Sequence, residues 1–150
     1  VVLTCGSEGI PDAAPKKVEL ACALIEKAGS YDIGPDRIFI DQLVLSLDTA
    51  NDSMLMFMDS VREIKRLYPT VRTVSGLSNI SYGMPYRKII NQNFLTLALY
   101  AGMDAAIINP ENRDMVGSIF AAEALLGQDK HCRKYYKAYR EEKFGAPPKA

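Results

Sequence analysis

Net charge is the first thing this 150-residue sequence lacks, because 18 lysine and arginine residues balance 18 aspartate and glutamate residues. A chain without excess positive charge offers no electrostatic footprint for nucleic acid or for an anionic membrane surface. A small or apolar ligand, or another protein, is the better default partner. Cysteine is scarce: Cys5, Cys22 and Cys132 are odd in number and far apart. They give neither a disulfide framework nor metal-ligand spacing, and they fit a reducing cytosol. The lone histidine, His131, cannot build a zinc site by itself. No run approaches the roughly 18 apolar residues of a membrane span, and no basic segment leads into an apolar one as in a signal peptide. Also absent are GxGxxG, a Walker-type GKS or GKT, HExxH and GxSxG, and with them the commonest sequence indications of nucleotide, zinc-peptidase and serine-hydrolase chemistry.

What is present is globular, with 48% hydrophobic and 24% charged residues. The apolar run VVLTC reads as a strand that leads into a Gly/Ser/Pro loop. A helix is expected from Pro15 to Gly29, with Val18, Ala21, Cys22 and Ile25 on one face. RIFIDQLVL (37–45) reads as a buried strand running into a loop. Met54, Phe57, Met58, Val61, Ile64 and Tyr68 keep helical spacing until Pro69 ends the pattern. TVRTV (70–74) is a third strand. A helix over Arg87 to Ala101 packs through Ile90, Phe94, Leu97 and Ala101, and DAAIINP (104–110) is a fourth strand. Met115, Ile119, Ala122 and Leu126 mark another helix. A last basic and aromatic helix is expected over Lys130 to Phe144, followed by a flexible tail over 145–150. Its tyrosines read as a packing helix with a solvated face rather than a nucleic-acid surface.

Strand starts recur about every 35 residues, as successive βαβ units require, and the short Val/Ile-rich strands point to a parallel α/β sheet. Two closures are open. A doubly wound sheet suits this length, whereas a complete (β/α)8 barrel takes about 250 residues. Length alone favours the doubly wound form.

In both closures ligands bind at the C-terminal strand ends, where CGSEG, Asp41, SGLSN and Asn109 fall. Polar loops follow every strand, so CGSEG and Asn109 read equally well as connectors. Asp41, inside FIDQLVL, must find hydrogen-bond donors or bear the cost of burial. A ligand with adjacent N–H groups satisfies it, and so does a backbone cap. Asn79 offers both an acceptor and donors, so it can bond a heteroatom in either protonation state. Arg87, near the next helix start, can stack on a planar ring, pair with an anion, or simply face solvent.

GIP, RIFIDQLVL and VSGLSNISYGMPYRKIINQNFLTLALYAGMDAAIINP together resemble the pterin-binding methyltransferases over nearly the whole chain. The nearest types are the methyltetrahydrofolate:corrinoid protein methyltransferases and the folate-binding domain of cobalamin-dependent methionine synthase. The resemblance implies the C-terminal half, strands five to eight, of a dihydropteroate synthase-like TIM (β/α)8 barrel over residues 1–144. That reverses the choice made on length and leaves the opposite wall to a missing N-terminal half. It implies methyl transfer, in either direction, between N5-methyltetrahydrofolate and the cobalt of a corrinoid (cobalamin) carried by a partner corrinoid protein. By the same resemblance Asp41 bonds the pterin N–H groups, Asn79 stands beside N5 as the catalytic residue, Arg87 lies near the pocket, and Gly76 and Ser78 shape the loop. No metal ligand is implied. Gln42 departs from the family, which usually has proline there, and Tyr82 replaces a residue that is often polar. A cytoplasmic homodimer is implied for the complete protein, and little or no activity for this stretch alone. The alternative is a non-catalytic pterin- or folate-binding module, or an inactive fragment of such an enzyme.

Overall fold

The computed structural model describes residues 1–146, so 147–150 of the expected tail lie outside the described residues. Four parallel strands alternate with helices: β1 (Val2–Leu3), α1 (Ala14–Gly29), β2 (Phe39–Asp41), α2 (Ser53–Leu67), β3 (Arg72–Gly76), α3 (Arg87–Ala101), β4 (Ala105–Ile107), then α4 (Arg113–Leu125) and α5 (Arg133–Arg140). Each expected element forms because its spacing meets a partner. In α2, Phe57, Val61 and Ile64 are fully buried at helical spacing. Each such side chain contributes about 1.5–3 kcal/mol of burial. No helix among the described residues is long and apolar enough to cross a membrane.

The strands lie in the order β1-β2-β3-β4, each pair parallel. A doubly wound sheet reverses its order at a switch point, and this sheet has none. The closure favoured by length is therefore not the one formed. Right-handed crossovers that always step the same way leave their helices on one side of the sheet. The core sits there. Ile38, Ile40 and Val71 pack with Ala21 and Ile25 of α1 and Ile64 of α2. A second cluster joins Phe57, Met58 and Val61 to Phe94, Leu95 and Ala98 of α3 and Met115 of α4.

The register aligns Leu3, Asp41, Val74 and Ala105 across the sheet, with Gly76 and Ile107 two residues further on the same face. None of these belongs to either cluster, and Leu3 and Ile107 on the two edge strands are 52% and 64% exposed. One sheet face therefore carries the helices, while the other lies open at its edge strands and is covered only around Val74 (6% exposed).

The second strand runs into its loop as expected, whereas the face of α3 and the length of the last helix differ. The second strand stops at Asp41, because Leu43 adopts a left-handed backbone (φ 48°) that cannot continue a strand. In α3 the expected Phe94 and Ala101 are buried and Ile90 packs against the core, but Leu97 is 44% exposed and Leu95 and Ala98 are buried instead. The last helix is shorter than 130–144: His131 and Cys132 are both left-handed, and α5 ends at Arg140. Phe144 then folds back against Tyr135 (4.9 Å between ring centroids) and over Gly117, where a Cβ would stand 3.1 Å from the Phe144 side chain. Arg113 donates to the carbonyls of Phe144, Gly145 and Ala146.

Candidate active site at the C-terminal strand ends

Asp41 ends β2 on the open face. Its Oδ1 accepts the Leu43 N–H at 2.9 Å, so half of the carboxylate caps the backbone. Oδ2 accepts none of the hydrogen bonds among the described residues and is half-buried with the rest of the side chain. Burial pushes this carboxyl above its ordinary value, opposed by the Leu43 N–H and by the charge of Lys17. The capping and ligand readings of Asp41 thus divide between its two oxygens.

Gly76 lies two residues beyond Val74, the register partner of Asp41. Its φ of −76° is open to any residue, and a Cβ built there meets nothing within 4 Å. Neither backbone conformation nor packing within this chain demands glycine here. Its missing side chain keeps the strand end clear.

After Gly76 the chain makes a 3-10 turn, Leu77–Ser81, that buries Leu77 and Ile80 and leaves Ser78 and Asn79 exposed. The Asn79 side chain makes no hydrogen bond among the described residues, so its carbonyl and amide are both free. Its loop is held on two sides. Arg87 donates from Nη2 to the Ser78 carbonyl (2.6 Å) and from Nε to the Ser81 hydroxyl (3.0 Å), and that hydroxyl donates to Asn91 Oδ1 (2.7 Å). From the β2 side, the Leu47 N–H donates to the Ile80 carbonyl (2.9 Å) and the Ser46 hydroxyl to the Tyr82 carbonyl (2.6 Å). The amides after Arg87 are structural: Asn91 holds Ser81, Gln92 reaches Ser118 of α4, and Asn93 bonds back to Ile89.

Asn109 accepts the Glu111 N–H and so caps its own turn. In the CGSEG loop, Gly6 and Gly9 bond to each other in both directions. A cleft of about 490 Å³ lies over this loop and the first turns of α1, and Asn79 does not line it. Neither this cleft nor the one of about 410 Å³ beside Lys65 and Asp104 is lined by Asp41 or Asn79. Among the described residues no group of three His, Cys, Asp or Glu side chains is placed to hold a metal ion.

One residue of this region, Lys17, was not singled out from the sequence, and Gln42 was noted only as a departure from the family pattern. Lys17 is wholly buried and donates to the carbonyls of Gln42 (2.9 Å) and Leu43 (2.8 Å). Its position four before Ala21 and eight before Ile25 puts it on the buried stripe of α1, which was the available signal. Gln42 is also wholly buried, with neither side-chain Oε1 nor Nε2 hydrogen-bonded.

No protein-family model matches the chain. It is, however, 49% identical over 145 residues, 97% of its length, to a methylcorrinoid:tetrahydrofolate methyltransferase from Eubacterium limosum. The chain is a relative of that methyltransferase. It is also 35% identical over 116 residues to the methionine synthase of Mycobacterium tuberculosis and 34% identical over 116 residues to that of Mycobacterium leprae. These matches agree with the resemblance read from the sequence. The chain spans about half the length of the first relative (54%) and a tenth (10%) of the other two.

Proposed function

We propose that this chain forms one wall of a tetrahydrofolate site in an enzyme that moves a methyl group between N5-methyltetrahydrofolate and the cobalt of a corrinoid protein, in either direction. One observation carries the reading: Asp41 keeps an unbonded carboxylate oxygen on the same open sheet face where Gly76 leaves the strand end clear. A flat heterocycle with adjacent N–H donors fits both features. The relative named for methylcorrinoid and tetrahydrofolate supports this pair of substrates.

The same reading gives the open face an occupant. Sequential parallel strands with helices on one side, and an apolar uncovered face, are what four units of a (β/α)8 barrel require. We take residues 1–144 as strands five to eight of such a barrel, followed by a tail over 145–150. The remaining wall comes from four further units. The complete protein is cytoplasmic and homodimeric in this account, and these residues alone are inactive.

In the mechanism, the corrinoid supplies the cobalt centre that gives or takes the methyl group. The residues of this chain handle the pterin. Asp41 accepts ring N–H bonds through Oδ2 and orients the heterocycle. Asn79, with both amide groups free, holds a hydrogen bond to N5 whether or not N5 carries a proton. A proton on N5 makes the departing amine neutral, and a bond that tightens as that proton is held lowers the barrier more than it aids binding. Arg87 and Ser78 keep Asn79 in place, with Ser78 acting through its carbonyl.

The test mixes the intact protein with methyltetrahydrofolate and chemically reduced cob(I)alamin and follows the cobalt absorbance. Methylation that falls by about tenfold or more in Asn79→Ala, with a smaller loss of pterin affinity, supports the assignment. An unchanged rate contradicts it. Tetrahydrofolate binding with no methyl transfer would instead identify a non-catalytic folate-binding module.

A further inference from the structure

Among the described residues Lys17 is the one charged side chain with no solvent exposure. Its place is unfavourable on two counts. It lies in the first turn of α1, where positive charge opposes the helix dipole, and an ammonium taken out of water must be compensated. The compensation is local and specific. Lys17 donates to the carbonyls of Gln42 and Leu43, the two residues directly after Asp41. Leu43 is held at φ 48°, a conformation leucine rarely adopts, and its N–H donates to Asp41 Oδ1. The ammonium, the strained turn and the carboxylate therefore form one connected chain of hydrogen bonds.

We propose that Lys17 is a positioning residue of the pterin site, holding the left-handed Leu43 turn that aims Asp41. The role rests on the pterin reading given above. Among groups on neighbouring elements, Arg72 of β3 lies over the Phe39 ring (5.3 Å), and the Cys5 thiol follows β1; Lys17 is the charge that acts on Asp41. Burial lowers Lys17 to about 8 while Asp41 pulls it upward, so the ammonium is charged at neutral pH and is lost as pH rises through that value. Burial raises Asp41, and the Leu43 N–H and Lys17 hold it down. Removing the ammonium therefore raises Asp41 further. Since the ionised carboxylate is the N–H acceptor, the acid limb of pterin binding must move to higher pH.

The experiment uses the intact protein with Lys17→Met, alone and combined with Leu43→Gly, which adopts the left-handed turn without strain. Two readouts are followed across pH: tetrahydrofolate affinity by calorimetry, and the Asp41 carboxyl titration by NMR of the ligand-free protein. Lys17→Met should weaken binding by about tenfold and move both the acid limb and the Asp41 titration to higher pH. The double variant should recover melting temperature but not the pH shift. A Lys17→Met variant that binds within about twofold of the natural protein overturns the proposal. So does a loss of affinity with Asp41 titrating as before, which reduces Lys17 to a fold-stabilising residue. If the natural protein binds no tetrahydrofolate, the pterin reading fails and this role with it. The ligand-free titration keeps that failure distinguishable from the others.

Discussion

Arg87 Nη2 donates to the carbonyl of Ser78 at 2.6 Å, fixing the residue directly before Asn79. Its Nε reaches Ser81 at the same time, so one planar guanidinium bridges both ends of the loop. Lysine has three donors on one rotatable ammonium but lacks the rigid planar fork that fixes these two acceptors relative to each other. Arg87→Ala and Arg87→Lys are therefore both expected to lower methyl transfer by about tenfold, since small displacements of a positioned group carry that cost. Ser81→Ala, which removes one of the two anchors, should cost less. Steady-state kinetics of the intact protein decide the order. An Arg87→Lys variant with full activity would show that the bridge is unimportant.

Much of this region was legible in the sequence, for identifiable reasons. Helix α3 begins at Arg87 and ends at Ala101 as its spacing requires, with glycine at its stop. Its inward face was legible at Ile90, Phe94 and Ala101 but not between Leu95 and Leu97, which are equally apolar so that only packing chooses. Strand order was illegible for a different reason: alternation of strands and helices is the same in a doubly wound sheet and in a barrel. Lys17 escaped notice because a lysine beside Lys16 near a helix start reads as solvated. Its neighbours at four and eight residues, Ala21 and Ile25, were the evidence against that. The shortening of α5 was hidden because Phe144 is held by Gly117, Tyr135 and Tyr139, contacts that no local pattern announces.

Gln42 buries a carboxamide with no partner, and an unpaired buried polar group costs about 1–3 kcal/mol. Gln42→Met keeps the length of the side chain and removes the unpaired atoms. The expected outcome for the intact protein is a gain of about 1 kcal/mol, seen as a rise of a few degrees in melting temperature. A lower melting temperature would mean that Gln42 has a hydrogen-bond partner when the whole protein is assembled.

Asp129 caps α5, accepting the N–H groups of Lys134 (3.0 Å) and Tyr135 (2.9 Å). Burial pushes this carboxyl up, but those backbone donors outweigh it and hold it below its ordinary value. A depressed carboxyl adds stability above its unfolded value, and that stability is lost as pH falls through the folded one. Asp129→Ala should therefore lower stability at neutral pH, a difference that fades as pH falls below the ordinary carboxyl value of about 4. Denaturant unfolding of both proteins at several pH values checks it. A difference that stays constant into acid would assign the loss to packing.

The central claim is that the open face between Asp41 and Asn79 receives a pterin, and Gly76→Val tests it most directly. The backbone at Gly76 suits any residue and a Cβ there meets nothing within 4 Å in this chain, so valine should be accommodated in the fold. Calorimetric titration of the intact Gly76→Val protein with tetrahydrofolate is the measurement. The account predicts an unchanged melting temperature and an affinity lowered by about tenfold or more, because the added side chain occupies space the ligand needs. Affinity equal to that of the natural protein would place the ligand elsewhere and contradict the account.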